Sequence, residues 1–174
     1  TIVATIIFSI FLMLAVLSPI CQSSNEGEII TGTPPGWSED INLSNSPLND
    51  QASCFALNNE NLHTCWRHNS VDLLYRMSND SGKSWKSAAN IYHSDFLISD
   101  PDIAVSEQNV HAVINDFDGW DGIYYLNSTD NGESWNPTKR ISPDGKNAYT
   151  PHIFVNNSNV HIIWYDVRDG ANGE

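Results

Sequence analysis

Positive charge is what this chain of 174 residues has least of: Lys and Arg together number 8 against 21 Asp and Glu, for a formal charge of -13. Nucleic acid and anionic membrane surfaces are themselves negative and repel such an exterior, so neither is expected as a partner. A cation or a neutral glycan is easier to accommodate. The carboxylates are scattered through loops and not gathered into one run, which reads as a solvated, soluble exterior. With 40% apolar residues the chain can bury a core of ordinary size.

Charge of either sign is missing from Thr1 to Ile20, which is almost continuously apolar through Ile6-Ile7-Phe8 and Phe11-Leu12-Met13-Leu14. A run of about 20 such residues is long enough to cross a bilayer, and its N-terminal place and the polar Gln22-Ser23-Ser24 after it resemble a secretory signal. Residues 1–21 are therefore expected to be a signal peptide removed on export or a retained membrane anchor. Either way the remainder is expected to be secreted or held at the cell surface, with membrane contact only through this segment. The initiator Met and the basic residues that normally precede such a core are lacking, so the true start is expected upstream. Ser18-Pro19-Ile20 also lacks the small residue that a lipidation signal needs beside its cysteine, which argues against Cys21 as a lipid anchor. Residues 22–50, rich in Ser, Asn, Gly and Pro around Thr33-Pro34-Pro35-Gly36 and without sustained period, read as a flexible linker.

From residue 51 to 174 the sequence repeats itself. Ser78-Asn79-Asp80-Ser81-Gly82-Lys83-Ser84-Trp85 recurs 50 residues on (78 to 128) as Ser128-Thr129-Asp130-Asn131-Gly132-Glu133-Ser134-Trp135, with five of eight positions identical. Upstream of the octets, Ala56–His63 aligns with Ala104–His111 and with Phe154–His161. Each copy has a short apolar or β-branched run, a polar turn such as one centred on Asn59-Glu60, a second run (Val110–Ile114, Val160–Trp164) and an acidic loop. Copies one and two add a third run (Asp72–Met77, Ile123–Asn127), the octet, and a fourth run (Ala88–Tyr92, Thr138–Ile141). Four short strands per repeat of about 50 residues predict an all-β fold of β-propeller blades, each of four antiparallel strands. The third copy stops at Glu174 before any octet. About two and a half blades are expected, an incomplete ring, since closing one takes at least about four.

The octet has a local physical logic. Asp80 and Asp130 can accept backbone N–H bonds from the turn that follows them. Gly82 and Gly132 supply a positive φ without a side-chain clash. Trp85 and Trp135 then stand where an indole can pack against the blade and pin the hairpin. With Ser78 and Ser128 these positions form the pattern Ser-x-Asp-x-Gly-x-x-Trp, which resembles the Asp-box, or BNR repeat, of the sialidase (neuraminidase) superfamily. The resemblance covers roughly Ala52 to Glu174. In that family the boxes lie away from the catalytic face, so the resemblance implies a fold and not an activity.

Sialidase chemistry, as the family practises it, binds a carboxylate with three arginines and uses an acidic Asp with a Tyr-Glu pair as nucleophile. The Phe/Tyr-Arg-Ile-Pro motif that carries one such arginine is absent, and Arg67, Arg76, Arg140 and Arg168 sit in no equivalent of it. No catalytic residue is assigned, and the piece is expected to be inactive by itself. The leading expectation is an exported propeller that recognises a glycan or another extracellular surface with loops on one face of the ring. The alternatives are an exo-alpha-sialidase whose active site lies in further blades, and a structural cell-surface module.

Export makes Cys54 and Cys65 a candidate disulfide, because a turn at Asn59-Glu60 sets them opposite each other on neighbouring strands; two buried thiols are the other reading. His63, His111 and His161 occupy one equivalent position in successive repeats, which favours a repeated structural role over a shared metal. Asp116, Asp118 and Asp121 alternate with Gly119 and Gly122 in a loop that could wrap calcium, although no full calcium-loop signature is present and a plain acidic loop is the favoured reading; no other cofactor is expected. Trp120 and Tyr165 are candidates to stack on sugar rings if exposed, against packing in the blade core. Asn42, Asn79, Asn127 and Asn156 satisfy the glycosylation pattern.

Overall fold

The computed structural model describes residues 38–119, 121–144 and 147–166. The apolar run 1–21, Trp120 and Arg168 lie outside the described residues, as do residues 167–174. Within them the chain is all-β and its sheets are antiparallel propeller blades. The first holds β1 (Asp50–Asn58), β2 (Asn61–His68), β3 (Asp72–Ser78) and β4 (Ala89–His93) in that order. The second repeats it with β5 (Ile98–Ser106), β6 (Asn109–Asp116), β7 (Gly122–Ser128) and β8 (Lys139–Arg140). β9 (Ala148–Asn156) and β10 (Asn159–Asp166) form a third, two-stranded sheet. The fourth strand of the second blade is only two residues long, shorter than the run 138–141 predicts. Pro137 and Pro143 stand on either side of it and cannot donate to a ladder.

The blades stack face to face. Leu73, Tyr75, Met77 and Cys65 of the first blade pack on Ile98, Ile103, Val110, Ala112, Ile114 and Leu126 of the second. Val113 and Ile123, on the opposite face of the second blade, pack on Ala148 and Ile153 of the third sheet. β6 is thus covered on both faces, and Val110 and Ala112 to Ile114 are all fully buried. Each large aliphatic side chain buried in this way contributes about 1.5–3 kcal/mol.

Polar bonds repeat at the same interfaces. Asn58 Nδ2 donates to the Glu107 carbonyl and Ser106 Oγ to the Asn157 carbonyl, each at 2.7 Å. The accepting residues are the first of each two-residue turn, and Asn59, Glu107 and Asn157 share a left-handed φ of 55°. Arg67 Nη1 and Asn115 Nδ2, which align in the repeat, donate to the carbonyls of Ile98 and Ala148, the first residues of the next blade's inner strand.

The last part of the segment read as linker is docked. Leu43 is fully buried with Trp66 against Leu74 and Trp85, and Arg76 donates to its carbonyl. Elsewhere, Phe55 and Leu57 on β1, Phe154 on β9, and Ile163 and Tyr165 on β10 are exposed. Tyr165 therefore does not enter the core; its ring stacks on Tyr149 at 6.3 Å.

Candidate functional site

Both octets close in the same way. Ser84 donates its backbone N–H to Asp80 Oδ1 at 2.9 Å and its hydroxyl to Oδ2 at 2.6 Å, while Ser78 Oγ donates to Oδ1 at 2.7 Å and accepts the Gly82 N–H at 2.9 Å. In the second copy Ser134, Ser128 and Gly132 make the same bonds to and around Asp130. Three donors on one carboxylate hold each Asp at about 2, below its ordinary 3.8, and the Ser84 and Ser134 hydroxyls are the first cause. Gly82 and Gly132 take φ of 83° and 86°, behind Ser81 and Asn131, which are also left-handed. The serine at the seventh position carries half of this network. It is one of the five identical positions in the octets, which is the sequence signal for its role.

The second octet also grips the preceding blade. The Trp135 ring meets Tyr75 edge-on at 5.1 Å, and the Tyr75 hydroxyl lies 3.4 Å from the Asn131 carbonyl. On its other side that hydroxyl shares a 2.7 Å hydrogen bond with His63 Nδ1; His111 and Tyr125 repeat the pair at 2.6 Å. The first two histidines thus hold tyrosines at blade interfaces, while His161 is exposed on the third sheet. Burial lowers His63 to about 4 and pushes Tyr75 up.

The acidic loop does not gather its carboxylates around a cation. Asp116 is buried and accepts from the Ser94 hydroxyl at 2.9 Å and the Tyr92 hydroxyl at 2.5 Å. Asp118 accepts from Arg140 Nη1 at 3.1 Å and from the Tyr124 hydroxyl, while Asp121 accepts from Tyr149. Among the described residues no group of three His, Cys, Asp or Glu is placed to hold a metal. Each carboxylate is instead taken by a donor from a different strand, the arrangement of a plain acidic loop.

Cys54 and Cys65 face each other in the β1–β2 register, as expected, with Sγ atoms 2.7 Å apart, and both are free thiols. Of the glycosylation candidates, Asn42, Asn79 and Asn156 are exposed, and Asn127 is half-buried within β7. Asn42 already uses its side-chain oxygen to accept from Ser44 and Asn45.

Because neighbouring strands run antiparallel, the two-residue turns and the octet hairpins fall at one end of each blade, where Ser81 N bonds the Glu60 carbonyl. The opposite end carries a feature that no motif announces. Ala52, Asp100 and Thr150 each stand near the start of an inner strand with left-handed φ of 49°, 48° and 48°, and at each of these places the ladder register slips. Such bulges bend a strand and re-aim its side chains. The inner strands β1, β5 and β9 lie side by side, and their bulges line one cleft of about 400 Å³. Its walls are Ala52 to Phe55, Asp100 to Asp102 and Thr150 to His152. Cys54, Asp102 and His152 hold one equivalent position on its three walls. Asp102 Oδ2 accepts the Ile153 N–H at 2.9 Å and lies 3.6 Å from His152 Nδ1, so this carboxylate ties two blades together at the cleft.

The described arginines are occupied outside it. Arg67 bonds the Ile98 carbonyl and Gln51, Arg76 the Lys86 and Leu43 carbonyls, and Arg140 the carboxylates of Asp118 and Asp144.

No protein-family model matches the chain, and no curated protein does. Among solved structures the chain is similar to the NanB sialidase of Streptococcus pneumoniae, at 22% identity and a TM-score of 0.43. The similarity covers 60% of this chain and 16% of that one, so the chain spans well under a quarter of that protein's length.

Proposed function

We propose that this is an exported propeller that recognises a neutral glycan in the cleft between its inner strands. The cleft carries the reading. It opens at the end of the blades opposite the octet hairpins and holds the polar groups of Ser53, Asp100, Asp102, Thr150 and His152 beside the apolar surfaces of Phe55, Pro101 and Pro151. A sugar ring needs both kinds of surface, hydrogen-bonding groups for its hydroxyls and apolar contact for its C–H faces, and a few hundred Å³ is the usual scale of small-ligand sites. Three left-handed non-glycine residues in its walls add a cost of about 1–3 kcal/mol each, the kind of strain that persists around binding sites. Export rests on the apolar run 1–21.

The lining also bears on which sugar. Asp100 and Asp102 present carboxylates, and no arginine is among the described residues that line the cleft. A sialic acid carboxylate would meet like charge there, which favours an uncharged glycan over an anionic one and recognition over sialoside cleavage. The test is a glycan array probed with the complete protein, followed by Asp100→Ala and His152→Ala. Retention of neutral glycans that falls about tenfold or more in either variant supports the reading, since that is the worth of one lost charge-assisted hydrogen bond. No retention of any glycan sinks it. Release of sialic acid from a fluorogenic sialoside would instead favour the hydrolase, and neither binding nor turnover a structural surface module.

A further inference from the structure

Cys54 is the first residue of β1 to rejoin the ladder after the bulge at Ala52, and its ladder partner is Cys65. At the same place the second blade has Asp102 opposite Val113 and the third His152 opposite Ile163. The cleft wall of the first blade therefore differs from the other two in carrying a pair of thiols. Directly opposed residues of antiparallel strands have Cα atoms about 4.5 or 5.5 Å apart, and both spacings fall within the range a disulfide spans. The sulfurs, 2.7 Å apart, are already inside van der Waals contact.

We propose that Cys54 and Cys65 are a disulfide site that locks the first blade's wall of the cleft. The step is an exchange with a small-molecule disulfide such as oxidised glutathione. The Cys54 thiol, which lines the cleft, loses its proton and attacks one sulfur of the oxidant; a mixed disulfide forms and one thiol leaves. The Cys65 thiol, buried beneath it, then loses its proton and attacks the Cys54 sulfur. The second small thiol leaves, one S–S bond has formed in the protein, and two electrons and two protons have passed to two molecules of reduced glutathione. Burial pushes the Cys54 thiol up, so the exchange speeds up as pH rises. Once formed, the bond holds the end of the bulge that the Asp102 to Ile153 hydrogen bond holds in the second blade.

The experiment incubates the complete protein with oxidised glutathione, then unfolds it and adds a thiol alkylating agent. The expected result is a protein about 2 Da lighter in which Cys54 and Cys65 are both protected and appear in one linked peptide. Amide exchange over residues 51–55 should slow about tenfold or more on oxidation, as local opening of the bulge is suppressed. Full alkylation of both cysteines after oxidation overturns the proposal. So does a bridge that leaves exchange at 51–55 unchanged, because the bond would then lock nothing. Cys65→Val, which installs the residue found opposite Asp102, should fold and show exchange independent of redox state. None of these readouts depends on a glycan, so failure of the bridge and failure of the glycan reading are separate results.

Discussion

Tyr75 of the first blade lies so close to Gly132 in the octet of the second that a Cβ on Gly132 would fall 1.9 Å from its hydroxyl oxygen and 2.5 Å from its ring. The glycine is needed twice, for a φ of 86° and for the ring of the neighbouring blade. Gly132→Ala should therefore cost about 1 kcal/mol in backbone strain and about 1–3 more in overpacking. Gly119→Ala shares the first cost only, since φ is 95° there but nothing among the described residues lies within 4 Å. Urea unfolding should show Gly132→Ala as the more destabilised by at least about 1 kcal/mol. In a Tyr75→Ala background the penalty of Gly132→Ala should shrink, because the two residues share one space.

The octet carboxylates should set the acid limb of stability. Asp80 and Asp130 are held at about 2 against an ordinary 3.8, chiefly by the Ser84 and Ser134 hydroxyls. A lowered carboxyl value means that the native state favours the ionised form, so the stabilisation is complete above about 4 and is lost as pH falls towards 2. Carboxyl NMR titrations should show two aspartates with midpoints near 2. Ser84→Ala and Ser134→Ala should each move one of them upward, and midpoints that stay put would refute the assigned cause.

His63 should act in a higher pH window. Buried against Tyr75, with its Nε2 unpartnered among the described residues, it is held to about 4 from 6.5. The native state favours the neutral ring, so the unfolded chain takes up the proton first. Stability should fall as pH drops from about 6.5 to 4 and level off below that, as far as this group is concerned. His63→Gln should flatten the slope of the urea midpoint in this window and leave the one below pH 4, due to the aspartates, in place.

The blades were legible because the repeat writes each element more than once. Histidines at 63, 111 and 161 and turns at Asn59, Glu107 and Asn157 mark equivalent points, and two octets fix the spacing. The partners of the acidic loop were not legible because its pattern is local and they are not: Arg140 reaches Asp118 from 22 residues away and Ser94 reaches Asp116 from as far in the other direction. The cleft was illegible for another reason. What repeats at Ala52, Asp100 and Thr150 is a backbone conformation, carried by three unrelated side chains, two of them before proline, where no glycine signals a left-handed φ.

Thr150 offers the sharpest test of that conformation. It is β-branched, precedes Pro151 and still holds φ at 48°, a combination its own sterics disfavour by about 1–2 kcal/mol. Glycine removes that penalty and gives back about 0.5–1 kcal/mol through the greater freedom of the unfolded chain. Thr150→Gly should therefore leave the protein as stable as before or up to about 1 kcal/mol more so, where a glycine placed within a regular strand would cost about that much. A stabilised variant that also retains less glycan would mean that the strain serves to hold Pro151 and His152 over the cleft. A destabilised one would mean that the threonine makes contacts worth more than its backbone costs, and that the bulge is simply how the blade begins.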